Sequence, residues 1–397
     1  MPSDSTTTAT PLRITIVGAG LGGLTAAVAL RQIGHIVQVF ERSENKTEVG
    51  AALGIQPNAM RVLKHLGVQV ENFKGVFVTG WLLMCHRTDI YDELKRVALD
   101  TTGGFPQVSM RFGCKVLSCS PEEGTVVLES GETVHADLVI GADGIQSLIR
   151  TNVLGYVQDA TPTGIACCRS VFNATPTDGS FSGLEWLSEG DPGVRSVAWR
   201  GLPFRMILCY PCRNGELVNS AHFYTETEEE KQDVSQPAST PTMSPAQVRA
   251  KFADYHPKFH RLLDLPNHAG KIFRWRLRVL PAIPTWCKGR TALLGDAAHA
   301  TLPFLAQGAA MAIEDAGVLA CMLPLGTTRE DVSARLAVWE DIRKPRADFV
   351  NKTTIEQMEF IIAGQQGTAL GDTRSKLAEY DAIAAGRLAY QEKFERV

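Results

Sequence analysis

Three glycines near the N-terminus, Gly18, Gly20 and Gly23, have the spacing of a turn that can bind a pyrophosphate. In such a turn the first glycine permits a tight bend, the second lets the backbone approach the phosphates, and the third lets helix and strand pack closely. Glu41 follows at roughly the 20-residue spacing expected for a carboxylate that binds a ribose hydroxyl, and Arg42 could reach the phosphates. These residues predict an adenine-dinucleotide site; a glycine turn without a ligand is the alternative.

The elements around the turn fit this chemistry. Residues Arg13 to Val17 form a short β-branched run that predicts a buried parallel strand. Leu21 to Ile33 is an alanine- and leucine-rich helix, Gly34 has the position of a C-terminal glycine, and Ile36 to Phe40 is the next strand. Together they predict a βαβ unit whose helix N-terminus presents free N–H groups to phosphates.

Two further aspartates follow predicted strands later in the chain. Asp143 comes after one buried apolar strand and Asp296 after another. Since ligands bind at the carboxyl ends of strands in open α/β sheets, Asp296 is expected to face a ligand, with a simple helix cap as the alternative. The helix that starts near Gly308 would direct its N–H groups and its dipole toward a bound group.

Three segments in this order are similar to three signatures of one flavoprotein family: Gly18–Gly23, Ala136–Arg150 and Leu294–Asp315. The sequence therefore resembles the class A FAD-dependent monooxygenases, the family of para-hydroxybenzoate and salicylate hydroxylases, and in particular the fungal enzymes of aromatic and secondary metabolism. The resemblance implies an α/β fold with a Rossmann-like FAD-binding domain, an interleaved β-sheet substrate domain and a helical C-terminus.

The resemblance also implies which residues hold FAD. Asp296 would bind ribityl or ribose hydroxyls, and the turn at Gly308 and Ala309 would face the flavin pyrimidine. Asp143 resembles part of a site shared by FAD and the nicotinamide cofactor, with Arg150 in support. The full set of implied cofactor-binding positions is Gly18, Gly20, Gly23, Glu41, Arg42, Gly54, Arg87, Asp143, Asp296, Gly308 and Ala309.

The reaction is implied in the same way. NAD(P)H reduces FAD, the reduced flavin and O2 form a C4a-hydroperoxide, and one oxygen atom is transferred to an aromatic or polyketide-like small molecule, typically a phenol. Because the sequence contains a single G-x-G-x-x-G, NADPH or NADH is expected to act as a transient reductant without a domain of its own. A flavin-dependent oxidase, reductase or epoxidase on the same scaffold is the alternative.

Two residues are expected to be catalytic, Arg205 and Tyr224. The segment Arg205–Asn219 resembles the family's strand pair beneath the flavin, and Tyr224 is expected to face the same pocket. Arg205 could hold a phenolate or carboxylate; a surface salt bridge is an equal alternative. One departure is the stretch between Gly67 and His86, which is shorter than in family members. It raises the alternative of a catalytically impaired FAD-binding protein.

The bulk composition is that of an ordinary globular protein, with 397 residues, 44% hydrophobic residues and a net charge of −3. This charge balance does not indicate nucleic-acid binding. No run approaches the roughly 18 apolar residues of a membrane span, and no cluster of metal ligands is visible. An odd number of cysteines, 9, and the lack of a secretory signal predict a cytoplasmic protein, expected to be a monomer or homodimer.

The order of the predicted elements indicates one domain that is interrupted by another. Strand-like segments between Gly164 and Phe223 indicate the inserted sheet, and the segment after Arg329 is mostly helical without a motif. The predicted divisions are a disordered tail (1–12), the first part of the FAD-binding domain (13–160), the substrate domain (161–285), the second part of the FAD-binding domain (286–325) and the C-terminal helices (326–397).

Overall fold

The computed structural model describes residues 9–44, 51–174, 184–187, 193–199, 201–232, 239–265, 267, 270, 272–365 and 371–395. The strands among them are β1 (Arg13–Val17), β2 (Ile36–Phe40), β3 (Ala52–Ile55), β4 (Val76–Val78), β5 (Leu82–His86), β6 (Ser109–Arg111), β7 (Val116–Ser120), β8 (Thr125–Leu128), β9 (Thr133–His135), β10 (Leu138–Gly141), β11 (Thr161–Asn173), β12 (Arg195–Trp199), β13 (Arg205–Cys212), β14 (Leu217–Thr225), β15 (Ser239–Met243), β16 (Ile272–Val279), β17 (Cys287–Lys288) and β18 (Thr291–Leu293). The α-helices are α1 (Leu21–Ile33), α2 (Pro57–His65), α3 (Arg87–Leu99), α4 (Leu148–Leu154), α5 (Glu228–Gln232), α6 (Pro245–Lys251), α7 (Pro257–His260), α8 (Asp296–His299), α9 (Gly308–Met322), α10 (Val332–Ile362), α11 (Gly371–Glu379) and α12 (Ala382–Tyr390).

A six-stranded sheet in the order β17-β18-β10-β1-β2-β6 organises the first region. Strand β1 pairs in parallel with β2 and β10, and β10 pairs in parallel with β18. The inner strands are almost continuous apolar runs, as expected for parallel strands covered by helices on both faces. Their common direction brings Gly18, Asp143 and Asp296, which follow β1, β10 and β18, to one edge of the sheet.

The predicted βαβ unit is present with the predicted bounds, as β1, α1 and β2. Helix α1 ends at Gly34, whose φ of 110° lies in the left-handed region that glycine adopts without a Cβ clash. Helix α1 packs against α9 and α3. The N-terminus of α1 is thereby fixed directly after β1, where a phosphate-binding turn has to be.

A second six-stranded sheet, in the order β12-β13-β14-β11-β16-β15, is antiparallel throughout. Alternate residues of each strand point to opposite faces. One face packs on a separate apolar cluster around Phe252 and Leu262. The other face turns toward the first region and packs on Phe304 at one end and on Ala52 and Val78 at the other.

The stretch between Gly67 and His86 folds into a compact unit. A 3-10 turn at Val70–Phe73 leads into the hairpin β4–β5, and β5 pairs with β3. Val78 and Met84 of this hairpin are buried beside Tyr210 of the second sheet. Although it is short, the stretch therefore supplies two strands that lie against the second sheet.

The C-terminal region is helical, as expected, and joins the two sheets. Helix α10 is buried near its start, where Trp339 belongs to the core of the first region. Near its end, Ile355, Met358 and Ile361 pack on the second sheet. No helix in the described ranges combines the length and the apolar character that crossing a membrane requires.

The predicted N-terminal tail, 1–12, is described only from residue 9 onward; residues 1–8 lie outside the described residues. Leu12 is buried and donates its N–H to Nδ1 of His35 at 3.2 Å. Leu12, which the predicted tail includes, is therefore already part of the core of the first region.

Candidate active site

The glycine turn lies between the carboxyl ends of β1 and β10, and its geometry shows why two glycines are required. Gly18 has a φ of 105°, and a Cβ there would lie 2.3 Å from the carbonyl oxygen of Ala142. A Cβ on Gly23 would lie 2.1 Å from the carbonyl oxygen of Gly18. An added Cβ on Gly20 meets no atom within 4 Å, so this residue borders open space through which a phosphate can approach the backbone.

Glu41 closes the turn from the end of β2. Its carboxylate accepts the N–H groups of Ala19 at 2.9 Å and Ser43 at 2.8 Å. The carboxylate thus lies directly beside the glycine turn, where a ribose hydroxyl could share it. Arg42 is exposed next to it.

Asp143 caps helix α4. Its carboxylate accepts the hydroxyl of Ser147 at 2.5 Å and the N–H groups of Leu148 at 2.7 Å and Ile149 at 3.1 Å. Burial raises the pKa of Asp143, although these hydrogen bonds oppose the shift. The carboxylate is therefore engaged by the helix, and its neighbour Gly144 is the residue that borders the cavity described below.

Arg150, expected to support the Asp143 motif, is fully buried and joins two of the motifs. Its guanidinium donates to the carbonyl oxygens of Ile145 at 2.7 Å and Ala297 at 3.0 Å. Since Ala297 belongs to α8, the guanidinium fixes the loop after β10 relative to the loop after β18. Its role is to position these loops.

A continuous cavity of about 690 Å³ runs from the glycine turn to the second sheet. Its wall combines the carboxyl edge of the first sheet, strands β3 and β5, the start of α9 and one face of the second sheet. The predicted cofactor residues in this wall are Gly20, Gly23, Gly54, Arg87, Asp296, Gly308 and Ala309. The predicted residues outside the wall are Gly18, Glu41, Arg42 and Asp143.

Two polar side chains in this wall offer hydrogen bonds to a ligand. Asp296 is exposed to the cavity and has no hydrogen-bond partner in the described ranges. The hydroxyl of Thr301 is buried and likewise has no partner among the residues that the structure describes. Buried polar atoms in native proteins are normally hydrogen-bonded, so the Thr301 hydroxyl fits a ligand that carries hydroxyl or amide groups, as FAD does. The Asp296 carboxylate is an acceptor that such a ligand could reach from the cavity.

The turn before α9 is held by buried amide side chains. Asn58 donates to Oε1 of Gln307 at 3.0 Å, and Nε2 of Gln307 donates to Oε1 of Gln56 at 2.5 Å. All three side chains are buried. Gly308 and Ala309, which begin α9, therefore present the N–H groups and the positive dipole end of that helix to the cavity from a rigid base.

A second buried network lies beneath the same helix. Nε2 of His299 is 2.6 Å from Asp315, whose other oxygen accepts Nε of Arg343 at 2.9 Å. Burial alone would raise the pKa of Asp315, but His299 and Arg343 lower it below its ordinary value. His299 is thus a packed residue outside the cavity wall. Within the described ranges no group of His, Cys, Asp and Glu could hold a metal ion.

The second sheet forms the floor of the far end of the cavity. Met206 and Leu208 of β13 and Ala221 and Phe223 of β14 belong to the wall, and cross-strand pairing sets Leu208 opposite Ala221. Residues Pro303–Leu305 and the end of α10 border this floor on one side, and the hairpin β4–β5 borders it on the other. The result is a floor made mostly of apolar side chains, of the kind that packs against a planar ring.

Arg205 and Tyr224 do not lie on this face, so their expected place in the substrate pocket is corrected. The alternation along β13 and β14 turns both side chains to the opposite face. Arg205 forms a two-pronged ion pair with Asp254, including an Nη2–Oδ2 distance of 2.7 Å. The Tyr224 hydroxyl donates to Glu230 at 3.1 Å. The alternative given for Arg205, a salt bridge, is therefore the contact that the structure shows.

Arg169 of β11 is a cation on the cavity face of the second sheet, and it was not among the residues predicted from the sequence. It is half-buried, pairs across the strands with Ala221, and its guanidinium lies 5.5 Å from the ring centre of Trp275. No carboxylate in the described ranges pairs with it. The available signal was an arginine in the middle of an apolar strand, because a charge at such a position needs a partner or a ligand.

The remaining polar residues of the Arg205–Asn219 segment join the two regions. The Tyr210 hydroxyl donates to the Ala52 carbonyl at 2.7 Å, and Oδ1 of Asn219 accepts the N–H of Ala52 at 3.2 Å. Arg213 forms a two-pronged pair with Asp89 at 2.7 and 3.0 Å. These contacts hold β3 and the first turn of α3, both parts of the cavity wall, against the second sheet.

Comparison with known proteins agrees with this geometry. A family model described as an FAD binding domain matches residues 12–74 and 93–354. A hispidin-3-hydroxylase of Neonothopanus nambi is 38% identical over 382 residues, with coverage of 87% of this chain and 88% of that protein. The FAD-dependent monooxygenase cfoG of Aspergillus candidus is 31% identical over 369 residues, with coverage of 85% of this chain and 83% of that protein.

The fold is also that of a solved structure. CtdE in complex with FAD and a substrate superposes with a TM-score of 0.81 over 96% of this chain and 98% of that chain, at 23% identity. At this identity the likeness shows the fold alone: a Rossmann-like α/β region with an interleaved β-sheet region and C-terminal helices.

Proposed function

This chain belongs to the FAD-dependent monooxygenases, and from that premise we propose that it hydroxylates an acidic aromatic or polyketide-like small molecule. NADPH or NADH is the transient reductant and O2 the second substrate. One observation carries the proposal: residues that fit a dinucleotide border the same cavity as an apolar sheet face whose arginine, Arg169, has no carboxylate partner among the described residues. The residues that would hold FAD and the residues that would hold the substrate ring therefore face a common space.

The chain's own residues fit FAD at the first end of the cavity. Gly20 and Gly23 would receive the pyrophosphate, and Glu41 the adenosine ribose. Asp296 and Thr301 would bind hydroxyl groups of the chain that leads to the flavin, and the N-terminus of α9 would stabilise negative charge on the ring. When bound, FAD supplies the redox chemistry, in which it accepts a hydride from NAD(P)H and activates O2 for insertion of one oxygen atom.

At the second end the protein positions the substrate and excludes water. Met206, Leu208 and Phe223 offer an apolar surface for a planar ring, and a dry site protects reactive species from side reactions. Arg169 would bind a phenolate, enolate or carboxylate oxygen through charged hydrogen bonds and so fix the ring relative to the flavin. The hairpin β4–β5 closes one edge of this end, which supports a competent site over the impaired FAD-binding alternative.

The test is a turnover assay with the purified holoenzyme and a panel of phenols and aromatic acids under 18O2. We expect substrate-stimulated NAD(P)H oxidation with matching O2 uptake and a product that carries one 18O atom. NAD(P)H oxidation without O2 uptake would instead establish the reductase alternative. Protein that gains no flavin spectrum with added FAD would contradict the proposal at its first step.

We also propose a cytoplasmic location. All nine cysteines are free in the structure, which supports a reducing compartment. The role in secondary metabolism and the assembly as a monomer or homodimer stay predictions from the sequence.

A further inference from the structure

The turn of the hairpin β4–β5 has an unusual backbone. Val78 pairs with Leu82, so the turn consists of residues 79–81. Thr79 has a φ of 53° and Gly80 a φ of 79°. Glycine adopts such values freely, but they are strained for a β-branched residue. The hydroxyl of Thr79 donates to the carbonyl of Val78 at 2.6 Å, which helps to hold this conformation.

The strained turn places Trp81 in the wall of the cavity. Thr79, Trp81, Leu82 and Met84 all belong to the cavity wall. The Trp81 side chain is half-buried, and in the described ranges its indole has no ring or cationic partner. Backbone strain that persists in a cavity wall is a typical sign of a functional constraint.

The other tryptophans differ from Trp81 in this respect. Each of them contacts another ring or an arginine: Trp186 with Phe259, Trp199 with Arg205, Trp275 with Phe273, and Trp286 with Trp339. Aromatic side chains gain additional stabilisation from such partners. An indole that lines the cavity and has no such partner in the described ranges therefore has the form of a stacking surface for a ligand ring.

The position of the hairpin on the sheet shows how a ligand could lie between Trp81 and Arg169. Val78 and Leu82 pack over the sheet near Tyr210, whereas Arg169 lies one row further along, level with Leu208 and Ala221. Neighbouring rows on one face are two residues apart, or about 7 Å. The Arg169 guanidinium and the hairpin that carries Trp81 thus lie over neighbouring rows of the sheet, and both residues border the same cavity.

We propose that Trp81 stacks on a second ring of the substrate and so selects planar aromatic compounds of two rings over single-ring phenols. The inference rests on the proposed function and adds the substrate class to it. The acidic group of the first ring contacts Arg169, and the second ring lies against the indole. We assign the substrate and not the flavin as the occupant, because Val78 and Leu82, on either side of the turn that contains Trp81, pack with Tyr210 of the second sheet.

The experiment compares two probes that share a dihydroxyphenyl unit: resorcinol, with one ring, and resveratrol, with two. Binding to the holoenzyme is measured from the change in the absorption spectrum of the oxidised flavin, and FAD affinity is measured in parallel. The variants are Trp81→Ala, Trp81→Phe and the control Trp199→Ala, since Trp199 lies on the opposite face of the sheet, beside Arg205.

We expect the wild type to bind resveratrol more tightly than resorcinol. Trp81→Ala should weaken resveratrol binding about three- to tenfold, the range of one aromatic contact, and leave resorcinol binding and FAD affinity unchanged. Trp81→Phe should restore most of the loss, and Trp199→Ala should change neither probe. Equal weakening of both probes, no preference in the wild type, or a loss of FAD affinity in Trp81→Ala would each overturn the inference. Failure of the proposed function looks different, because the wild type would then bind FAD but neither probe.

Discussion

The two faces of the second sheet both carry arginines, yet the surroundings of these arginines are opposite. On the face away from the cavity, Arg274 and Arg276 share the buried carboxylate of Glu226, at 2.5 and 2.9 Å. Arg205, on the same face, pairs with Asp254. On the cavity face, Arg169 has no carboxylate partner in the described ranges and lies among apolar side chains.

The difference separates cations that stabilise the fold from a cation that is available to a ligand. A buried charge is costly unless it is paired, so an unpaired one is retained only where something else is gained. Active sites commonly give up stability in this way in return for function. The two faces therefore predict opposite responses to substitution, a loss of stability on one and a loss of substrate binding on the other.

The largest effect is expected on the paired face, at Glu226. Its side chain is 0% exposed and lies between two guanidinium groups that are 5% and 4% exposed. Glu226→Ala would remove the carboxylate that the two buried guanidinium groups share, so we expect a loss of about 3–5 kcal/mol in the free energy of unfolding. The free energy of unfolding is measured by urea denaturation monitored through tryptophan fluorescence.

The matched control is Glu228→Ala, because Glu228 is 79% exposed and its one ion pair in the described ranges is with Lys231. It should leave the unfolding midpoint close to that of the wild type. If both variants unfolded at the wild-type midpoint, the cluster around Glu226 would not be part of what stabilises the sheet.

On the cavity face, Arg169→Ala should weaken substrate binding and leave the stability of the fold intact, the opposite of what is expected for Glu226→Ala. Loss of a charged hydrogen bond to the substrate corresponds to about 1.5–3 kcal/mol, or roughly a 10- to 100-fold rise in the substrate KM. Stability should be unchanged or slightly higher, since no ion pair is broken. Initial rates of substrate-stimulated NADPH oxidation and a thermal melt provide the two measurements.

Arg169→Lys is the control, because lysine keeps the charge but not the planar fork of donors. We expect an intermediate KM. A wild-type KM in Arg169→Ala, together with a clear fall in melting temperature, would place Arg169 with the structural arginines and remove the contrast between the two faces.

The cofactor end of this site could be predicted from the sequence because its signals are local. The turn from Gly18 to Gly23 follows from backbone geometry at fixed spacing, and the bounds of β1, α1 and β2 match the sequence expectation. The contacts of Asp143 were harder to predict, because an aspartate at this position can face a ligand or accept hydrogen bonds from the start of a helix. In the structure its carboxylate accepts the N–H groups at the start of α4. A sequence motif predicts the position of a carboxylate, but the hydrogen-bond partners of that carboxylate depend on the rest of the fold.

The substrate end could not be predicted in the same way. Whether a residue of a strand faces the cavity depends on the register of the sheet, and a shift by one residue exchanges the faces. Arg205 and Met206 are neighbours in sequence, but only Met206 lines the cavity. Arg169 and Trp81 come to this cavity from separate segments, and it is the packing of the hairpin on the sheet that brings them there.

A pH dependence of stability tests the face of the second sheet that points away from the cavity, where His222 lies. Burial lowers the pKa of His222 to about 4, and its Nε2 has no hydrogen-bond partner in the described ranges. In the unfolded chain the pKa is near the ordinary 6.5, so the unfolded state binds more protons between pH 6.5 and 4, and stability falls as the pH is lowered through this window. The expected loss from this residue is about 2 kcal/mol at pH 5.

His222→Gln should remove this part of the acid sensitivity, measured as the difference in unfolding free energy between pH 7 and pH 5. His135→Gln serves as the control, because His135 is exposed and should keep the full difference. An unchanged difference in His222→Gln would mean that the buried imidazole does not have to stay neutral, and that this face tolerates an unpaired charge after all.

The smallest effect is expected for Asp254→Ala, which removes the partner of Arg205. The carboxylate is 49% exposed, and exposed ion pairs contribute little because solvent screens them and the side chains must be ordered. The melting temperature should change by less than about 2 °C, and the substrate KM should stay at the wild-type value because Arg205 faces away from the cavity. A KM that rises as it does in Arg169→Ala would return Arg205 to the substrate site, and the two faces of the sheet would no longer divide binding from stability.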